Sequence, residues 1–275
     1  MTSMTTQTDD AQLKARHRAM WAMGDYPAVA SDVIAALGDV LVDAARIRPG
    51  ERVVDVAAGS GNVALPAARR GATVVATDLT PELLEVGRRA AEAEDLAIEW
   101  KVSDAEAMVC DDGEHDVAVS CVGVMFAPHH QRAADELVRI VRPGGRIALL
   151  SWTPEGFIGQ MFATMKPFVP APPPGAQPPP LWGDPDHVAA LLGDRVTDVR
   201  TSRRRLRTDR FGTAQEFVEY FKACYGPTIA AFKNLADQPD RAAELERALV
   251  DLTRRQDQGG GVMEWEYLLV TATRS

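Results

Sequence analysis

The sequence predicts an α/β fold organised around a mostly parallel sheet. Three observations carry that reading. Short apolar runs recur at residues 52–56, 72–77, 97–103, 116–124 and 146–152, and most are separated by segments with helical apolar spacing, the alternation that βαβ units produce. The valines of 52–56 suit a strand covered on both faces, as in a parallel sheet. Finally, the turn Gly59-Ser60-Gly61 follows that run and leads into a helix, and the second run closes on Asp78.

Residues 1–10 are polar and are expected as a disordered tail, with N-terminal helices over 11–47. Within 31–46, Val33, Ile34, Leu37, Val40, Leu41 and Ala44 form a helical stripe behind a Ser31 or Asp32 cap. Arg48-Pro49-Gly50-Glu51 turns the chain into the first strand. Thr80 before Pro81 and Glu82 starts a helix: proline suits a first turn that needs no amide hydrogen, and the acid faces the positive end of the helix dipole. Another helix spans roughly 129–141, where Ala133, Ala134, Leu137, Val138 and Val141 share a face, and Arg142-Pro143-Gly144-Gly145 stops it. The sheet-bearing core is thus 48–152. In the cap segment 153–194, residues 166–183 are too rich in proline for a helix or an inner strand and should form a stiff extended loop. Asp184 then caps a short helix. Residues 195–275 hold the last two strands, 195–208 and 263–273, around a helical insertion at 213–258. Arg203, Arg205 and Arg207 should share one face of the first, as a solvated strand edge.

Composition bounds the function. The chain has 275 residues, 46% hydrophobic and 25% charged, enough for one large core with an insertion. A formal net charge of -9 opposes attraction to a phosphate backbone, which needs a basic face. A small-molecule substrate is therefore expected, not nucleic acid, with the protein a monomer or homodimer. No segment has the ~18 apolar residues of a membrane span, and the start has no apolar stretch of signal-peptide length; the expected location is the cytoplasm. Cys110, Cys121 and Cys224 are odd in number and widely spaced, which suits buried free thiols better than disulfides or a zinc knuckle. No metal site is expected.

A glycine turn between strand and helix lets backbone amides approach a ligand, and an acid ending the next strand can accept hydrogen bonds from ribose hydroxyls. Gly59-x-Gly61-x-x-Ala64 with Asp78 beyond it formally satisfies the dinucleotide fingerprint, so a nicotinamide-dependent oxidoreductase is one reading. Three features favour S-adenosylmethionine. Asp55 stands beside the turn, where a carboxylate repels a pyrophosphate but attracts an ammonium or sulfonium. The chain has no Tyr-x-x-x-Lys pair. The last two strands flank a helical insertion where a dehydrogenase would usually add βα units. A third reading is a non-catalytic module that meets a partner through the proline-rich loop.

Five segments in order, DVAAGSG (55–61), ATDLTPE (76–82), SDAEAM (103–108), SCVGVMFAPHH (120–130) and RPGGRIALLSW (142–152), resemble the class I S-adenosylmethionine-dependent methyltransferases, close to the ubiquinone/menaquinone-methyltransferase-like group. The resemblance covers 52–152 well and the rest loosely. It implies a Rossmann-like seven-stranded sheet with the last strand antiparallel, a helical N-terminal lid, and an enzyme that uses S-adenosylmethionine and releases S-adenosylhomocysteine. It further implies that Asp55 and the turn with Ala57, Gly59, Gly61 and Asn62 hold the methionyl end. Asp78 would accept from both ribose hydroxyls, Leu79 would pack on the adenine, Asp104 and the Ala105 amide would read the adenine edge, and the Cys121 carbonyl would lie near the cofactor amino group. Ala57 departs from the family pattern, which has glycine there.

The acceptor is expected to be an apolar or aromatic small molecule, methylated on oxygen, nitrogen or carbon. Candidates for a general base are His129 and His130, just past the fourth strand, at the sheet edge where ligands of open α/β sheets sit. The walls of the acceptor pocket are expected among Trp21, Tyr26, Met125, Phe126, Trp152, Phe217, Phe221 and Tyr225.

Overall fold

The computed structural model describes residues 2–275, with side chains from Asp10 onward. The apolar runs become five parallel strands: β1 (Arg52–Val56), β2 (Thr73–Asp78), β3 (Ile98–Val102), β4 (His115–Cys121) and β5 (Val141–Trp152). With β6 (Val196–Thr208) and β7 (Met263–Arg274) they form one seven-stranded sheet in the order β3-β2-β1-β4-β5-β7-β6, and β7 runs antiparallel to both neighbours. The expected sheet is therefore present. Its centre is covered on both faces, as the valine runs require: Val53, Val54, Val117, Ala118, Val119 and Leu150 have no solvent exposure.

Three helices precede the sheet: α1 (Thr2–Trp21), α2 (Tyr26–Asp32) and α3 (Ala35–Ala45). The crossovers are α4 (Ala64–Arg69), α5 (Pro81–Ala93) and α6 (His130–Ile140), followed by α7 (Phe157–Met165) and α8 (Pro185–Leu192). The insertion between β6 and β7 is α9 (Ala214–Cys224), α10 (Gly226–Asn234) and α11 (Pro239–Gln256).

Several local expectations change. Residues 2–10, read as a disordered tail, lie in the first turns of α1. The helix expected over 31–46 is split. Asp25 caps α2, its side chain accepting from Ala28 N–H, so Ser31 and Asp32 end that helix and cap nothing, while α3 starts behind Ile34 without a side-chain cap. The Arg142-Pro143-Gly144-Gly145 element does end α6, but it lies within β5 as a bulge, marked by a register shift opposite His115 and Val117. The proline-rich loop includes 3₁₀ turns at Lys166–Phe168 and Pro179–Gly183, and the buried Trp182 anchors the second. β6 is the sheet's edge. Arg203 pairs there with Glu155 and Glu266, and Arg205 with Glu264, so the basic run blunts an edge strand instead of forming an anion site.

The strand order also places the site. From β1 the chain builds outward to β2 and β3, then returns to the other side of β1 for β4. The carboxyl ends of β1 and β4 thus diverge at a topological switch point, where the connecting loops leave a crevice.

Candidate active site

The crevice is organised by the β1–α4 turn. Ala57, Gly59 and Gly61 all have left-handed backbones, with φ of 55°, 57° and 90°. The carboxylate of Asp78 at the tip of β2 fixes this turn: Oδ2 accepts the Gly59 N–H at 2.8 Å, and Oδ1 accepts the Thr80 N–H at 2.8 Å. Each oxygen retains a lone pair, an arrangement suited to two vicinal hydroxyls. Beneath the turn, Asp55 Oδ2 accepts the Ala64 N–H at 2.9 Å and holds the start of α4. At β4, Val122 also has a left-handed backbone, φ 45°. That is a costly conformation for a β-branched residue, about 1–3 kcal/mol. Next to it, a Cβ on Gly123 would lie 2.2 Å from the Ala57 carbonyl oxygen, so only glycine lets these two loops touch.

Above the loops is an open cavity, walled by Ala57, Gly59, Asp78, Leu79, Asp104, Ala105, Val122, Gly123 and Phe126 among others. Its roof is α1. Lys14, His17 and Trp21 face the cavity, spaced as one helical face demands. Polar contacts pin the roof: Lys14 Nζ pairs with Asp104 at 2.9 Å and Glu106 at 2.7 Å, Asp10 pairs with Arg132 at 3.3 Å and lies within hydrogen-bond distance of His129 at 3.1 Å, and Arg18 pairs with Glu82 at 3.5 Å. Burial, and then the Lys14 charge, lower the His17 pKa and favour the neutral ring.

Of the residues singled out from the sequence for the cofactor, Ala57, Gly59, Asp78, Leu79, Asp104 and Ala105 line this cavity. Asp55, Gly61, Asn62 and Cys121 do not. Asp55 is 1% exposed, and its pKa is pushed up to about 8 by burial and then by the neighbouring Asp78; it supports the turn from below and does not face a ligand. Gly61 lacks a side chain because the Trp100 ring occupies the space, 2.7 Å from where a Cβ would sit. Asn62 donates to the Ile34 carbonyl and to the Cys121 sulfur. Burial, and then Asp55, push the Cys121 thiol up to about 12, so it stays protonated.

Neither expected general base reaches the cavity. His130 is fully buried beside α8, its Nδ1 2.9 Å from His187 Nε2, and its pKa is driven down to about 3 by burial, His187 and His129. His129 is held by Asp10 on the lid. Their place beyond β4 suggested a site role, but the first turn of α6 aims them elsewhere. Among the expected acceptor-wall residues, Met125 and Phe217 are core. Trp21, Tyr26 and Phe126 line the cavity. Tyr26 and Phe126 recur in a second, smaller chamber with Trp152, Phe221 and Tyr225. Sequence reading missed Lys14, His17 and Val122. The spacing of Lys14 and His17 from Trp21 along one helix face was the available signal; Val122 had none.

The residues present fit S-adenosylmethionine. Asp78 stands in the cavity wall and offers ribose acceptors, and Asp55 Oδ1 is buried beneath the turn with no hydrogen-bond partner among the described residues, leaving a negative or polar group below the place of a cationic ligand.

A methyltransferase-domain family model matches residues 54–149. An uncharacterised protein of Mycobacterium tuberculosis is 52% identical over 274 residues, covering the whole of both chains. The ubiquinone/menaquinone biosynthesis C-methyltransferase of a Ruegeria species is 35% identical over 119 residues, 42% of this chain and 48% of that protein. A geranyl diphosphate methyltransferase solved with S-adenosylmethionine shares the fold, with a TM-score of 0.53 at 18% identity over 88% of this chain and 85% of that one. S-adenosylmethionine is thus the cofactor of the two left open by the glycine turn. With its domain match, strand order and cofactor crevice, the chain belongs to the class I S-adenosylmethionine-dependent methyltransferases.

Proposed function

We propose that the enzyme transfers the methyl group to an apolar or aromatic small-molecule acceptor held in the chamber beside the cofactor cavity. The observation that carries this reading is the chamber itself. Its walls are Tyr26, Val29, Ile34, Val122, Phe126, Trp152, Ile158, Phe221, Tyr225 and Trp265, and it shares Tyr26, Val122 and Phe126 with the cofactor cavity. No carboxylate, ammonium, guanidinium or imidazole is among these walls, so a charged acceptor would lose its hydration uncompensated. The partial likeness to a quinone-pathway C-methyltransferase points the same way.

When bound, the cofactor would supply a methyl group on a sulfonium, transferable to an electron pair of the acceptor with a neutral thioether as the leaving group. The residues contribute alignment and exclusion of water. Asp78 and the Gly59 turn fix the donor, and the aromatic walls orient the acceptor. Alignment of this kind supplies on the order of 7 kcal/mol of a barrier. Because His129 and His130 lie outside both spaces, they are assigned no proton transfer; the acceptor brings its own electron pair, a lone pair on oxygen or nitrogen or the π electrons of an activated ring carbon.

A labelled-methyl transfer screen over phenols, quinols, indoles and amines, with charged polar acceptors as controls, tests this. Label in an apolar acceptor is the expected result. Transfer confined to charged acceptors would overturn it.

A further inference from the structure

The loop that leads into β4, residues 110–115, brings three metal-ligating side chains together at the amino-terminal end of that strand. Cys110 and His115 are buried and Glu114 is half-buried, and one ligand atom from each lies within 4.8 Å of the other two. Cys110 is a free thiol. His115 is 2% exposed, yet its Nδ1 has no hydrogen-bond partner among the described residues. A buried ring nitrogen without a partner gives up its hydration for nothing, and a bound water or ion is the usual remedy. The loop is held before any ligand arrives: Glu114 Oε2 accepts the Asp111 N–H at 2.8 Å, the Arg139 carbonyl accepts the Gly113 N–H at 2.8 Å, and Arg139 Nη1 donates to the Cys110 carbonyl at 2.8 Å. Cations near the loop are already matched, Lys101 with Glu99 and Arg139 with Glu136 and Asp112. A second such group, Asp10, Glu106 and His129, differs on this point, because Lys14 and Arg132 already occupy its carboxylates.

We propose that Cys110, Glu114 and His115 bind a zinc ion through the thiolate sulfur, one carboxylate oxygen and a ring nitrogen, with water in the fourth position. Thiolate and imidazole suit zinc, whereas calcium and magnesium take oxygen ligands. Zinc bonds of about 2.0–2.3 Å place tetrahedral ligands about 3.3–3.8 Å apart, so the group closes by an ångström or so, a movement within reach of the rotatable Glu114 side chain. On binding, the Cys110 sulfur gives its proton to solvent and shares its electron pair with the metal, with no redox change. Cysteine spacing alone does not reveal the site, because the partners of Cys110 are a carboxylate and an imidazole. The site lies away from the cofactor crevice, since the length of β4, about 20 Å, separates His115 from the carboxyl end of the strand. Its role is therefore structural, fastening the β3–β4 connection to the start of β4, and it is independent of the acceptor reading.

The probes are Zn²⁺, followed by calorimetry, and Co²⁺, followed by absorption, on untagged, reduced protein first stripped with a chelator. Wild type should bind one Zn²⁺ per chain, and Co²⁺ should give the near-ultraviolet charge-transfer band of a cobalt–thiolate bond, which a site of nitrogen and oxygen ligands lacks. Cys110→Ser should lose that band. Cys110→Ser and Glu114→Gln should each weaken Zn²⁺ binding by about tenfold or more, since loss of a mere supporting contact around a metal already costs about 10- to 100-fold. Zn²⁺ should also raise the melting temperature of wild type by mass action and leave that of Cys110→Ser unmoved. No Zn²⁺ uptake by wild type, a cobalt band that survives Cys110→Ser, or wild-type affinity in both variants would each overturn the site. If Cys110→Ser does not fold, Glu114→Gln decides by its Zn²⁺ affinity, because its amide oxygen can still accept the Asp111 N–H and the position is half-exposed. S-adenosylhomocysteine should bind equally with and without Zn²⁺; a difference would contradict the structural role.

Discussion

Asp78→Ala removes the group on which the cofactor crevice depends most. Its carboxylate accepts two backbone N–H groups, from Gly59 and Thr80, each at 2.8 Å, and is 9% exposed at the cavity wall. Alanine leaves those N–H groups without their partner, a loss of about 1–3 kcal/mol in folding stability. The ligand loses more specifically. Hydrogen bonds to a charged group contribute about 1.5–3 kcal/mol, so the Kd for S-adenosylhomocysteine should rise roughly 10- to 150-fold. Asp78→Asn should fall between, because its amide oxygen still accepts one N–H while its NH₂ faces the other. Calorimetric titration with S-adenosylhomocysteine, alongside thermal melting of the ligand-free protein, measures both quantities. Unchanged affinity in a variant that melts at a lower temperature would show that the carboxylate holds the turn and never touches the ribose, and would refute the assignment.

Other expectations follow from single contacts. Lys14→Met leaves the carboxylates of Asp104 and Glu106 facing each other without their shared ammonium, so urea unfolding should show a loss of about 1–3 kcal/mol, and adding Glu106→Gln should restore part of it; an additive double mutant would mean that the pairs are independent. Asp55 has a folded pKa of about 8 against an ordinary 3.8, so the folded state holds its proton more tightly. Its contribution is present at low pH and is lost as pH rises from about 4 through 8. Asp55→Asn should therefore flatten the pH dependence and be the more stable protein at pH 8 in urea titrations; an unaltered slope would contradict this. Ala57→Gly relieves a left-handed alanine at φ 55° and should raise stability by about 0.5–1 kcal/mol; a lower melting temperature would show that the alanine methyl makes a contact worth more than the strain.

Much of the fold was legible because covered strands and capped helices announce themselves locally. The valines of β1 marked that strand at its actual limits, Arg52–Val56, and Asp184-Pro185 opened α8 with the side chain accepting from two backbone N–H groups, as its sequence suggests. The errors came where a second segment decides. Asp25, not Ser31 or Asp32, caps the helix ahead of the sheet, because the break at Val33 and Ile34 depends on packing in the core. In the site, Asp78 could be read from its place at the end of β2 and Leu79 from the family resemblance, and both line the cavity. Asp55 could not: the same motif position can face a ligand or lie beneath the turn, and only the hydrogen bond to Ala64 reveals which. Likewise, His130 follows β4 as an active-site residue would, yet one step along a helix turns it toward His187 and the core. Lys14 and His17 were passed over because the roof they form exists only once α1 folds back over β-strand tips distant in sequence.

Calorimetric titration of the wild-type protein with S-adenosylmethionine, S-adenosylhomocysteine and NAD(H) tests the donor placement most directly. Saturable one-to-one binding of both sulfur ligands, with no heat from the dinucleotide, is the predicted result. Silence from both sulfur ligands beside tight dinucleotide binding would contradict it.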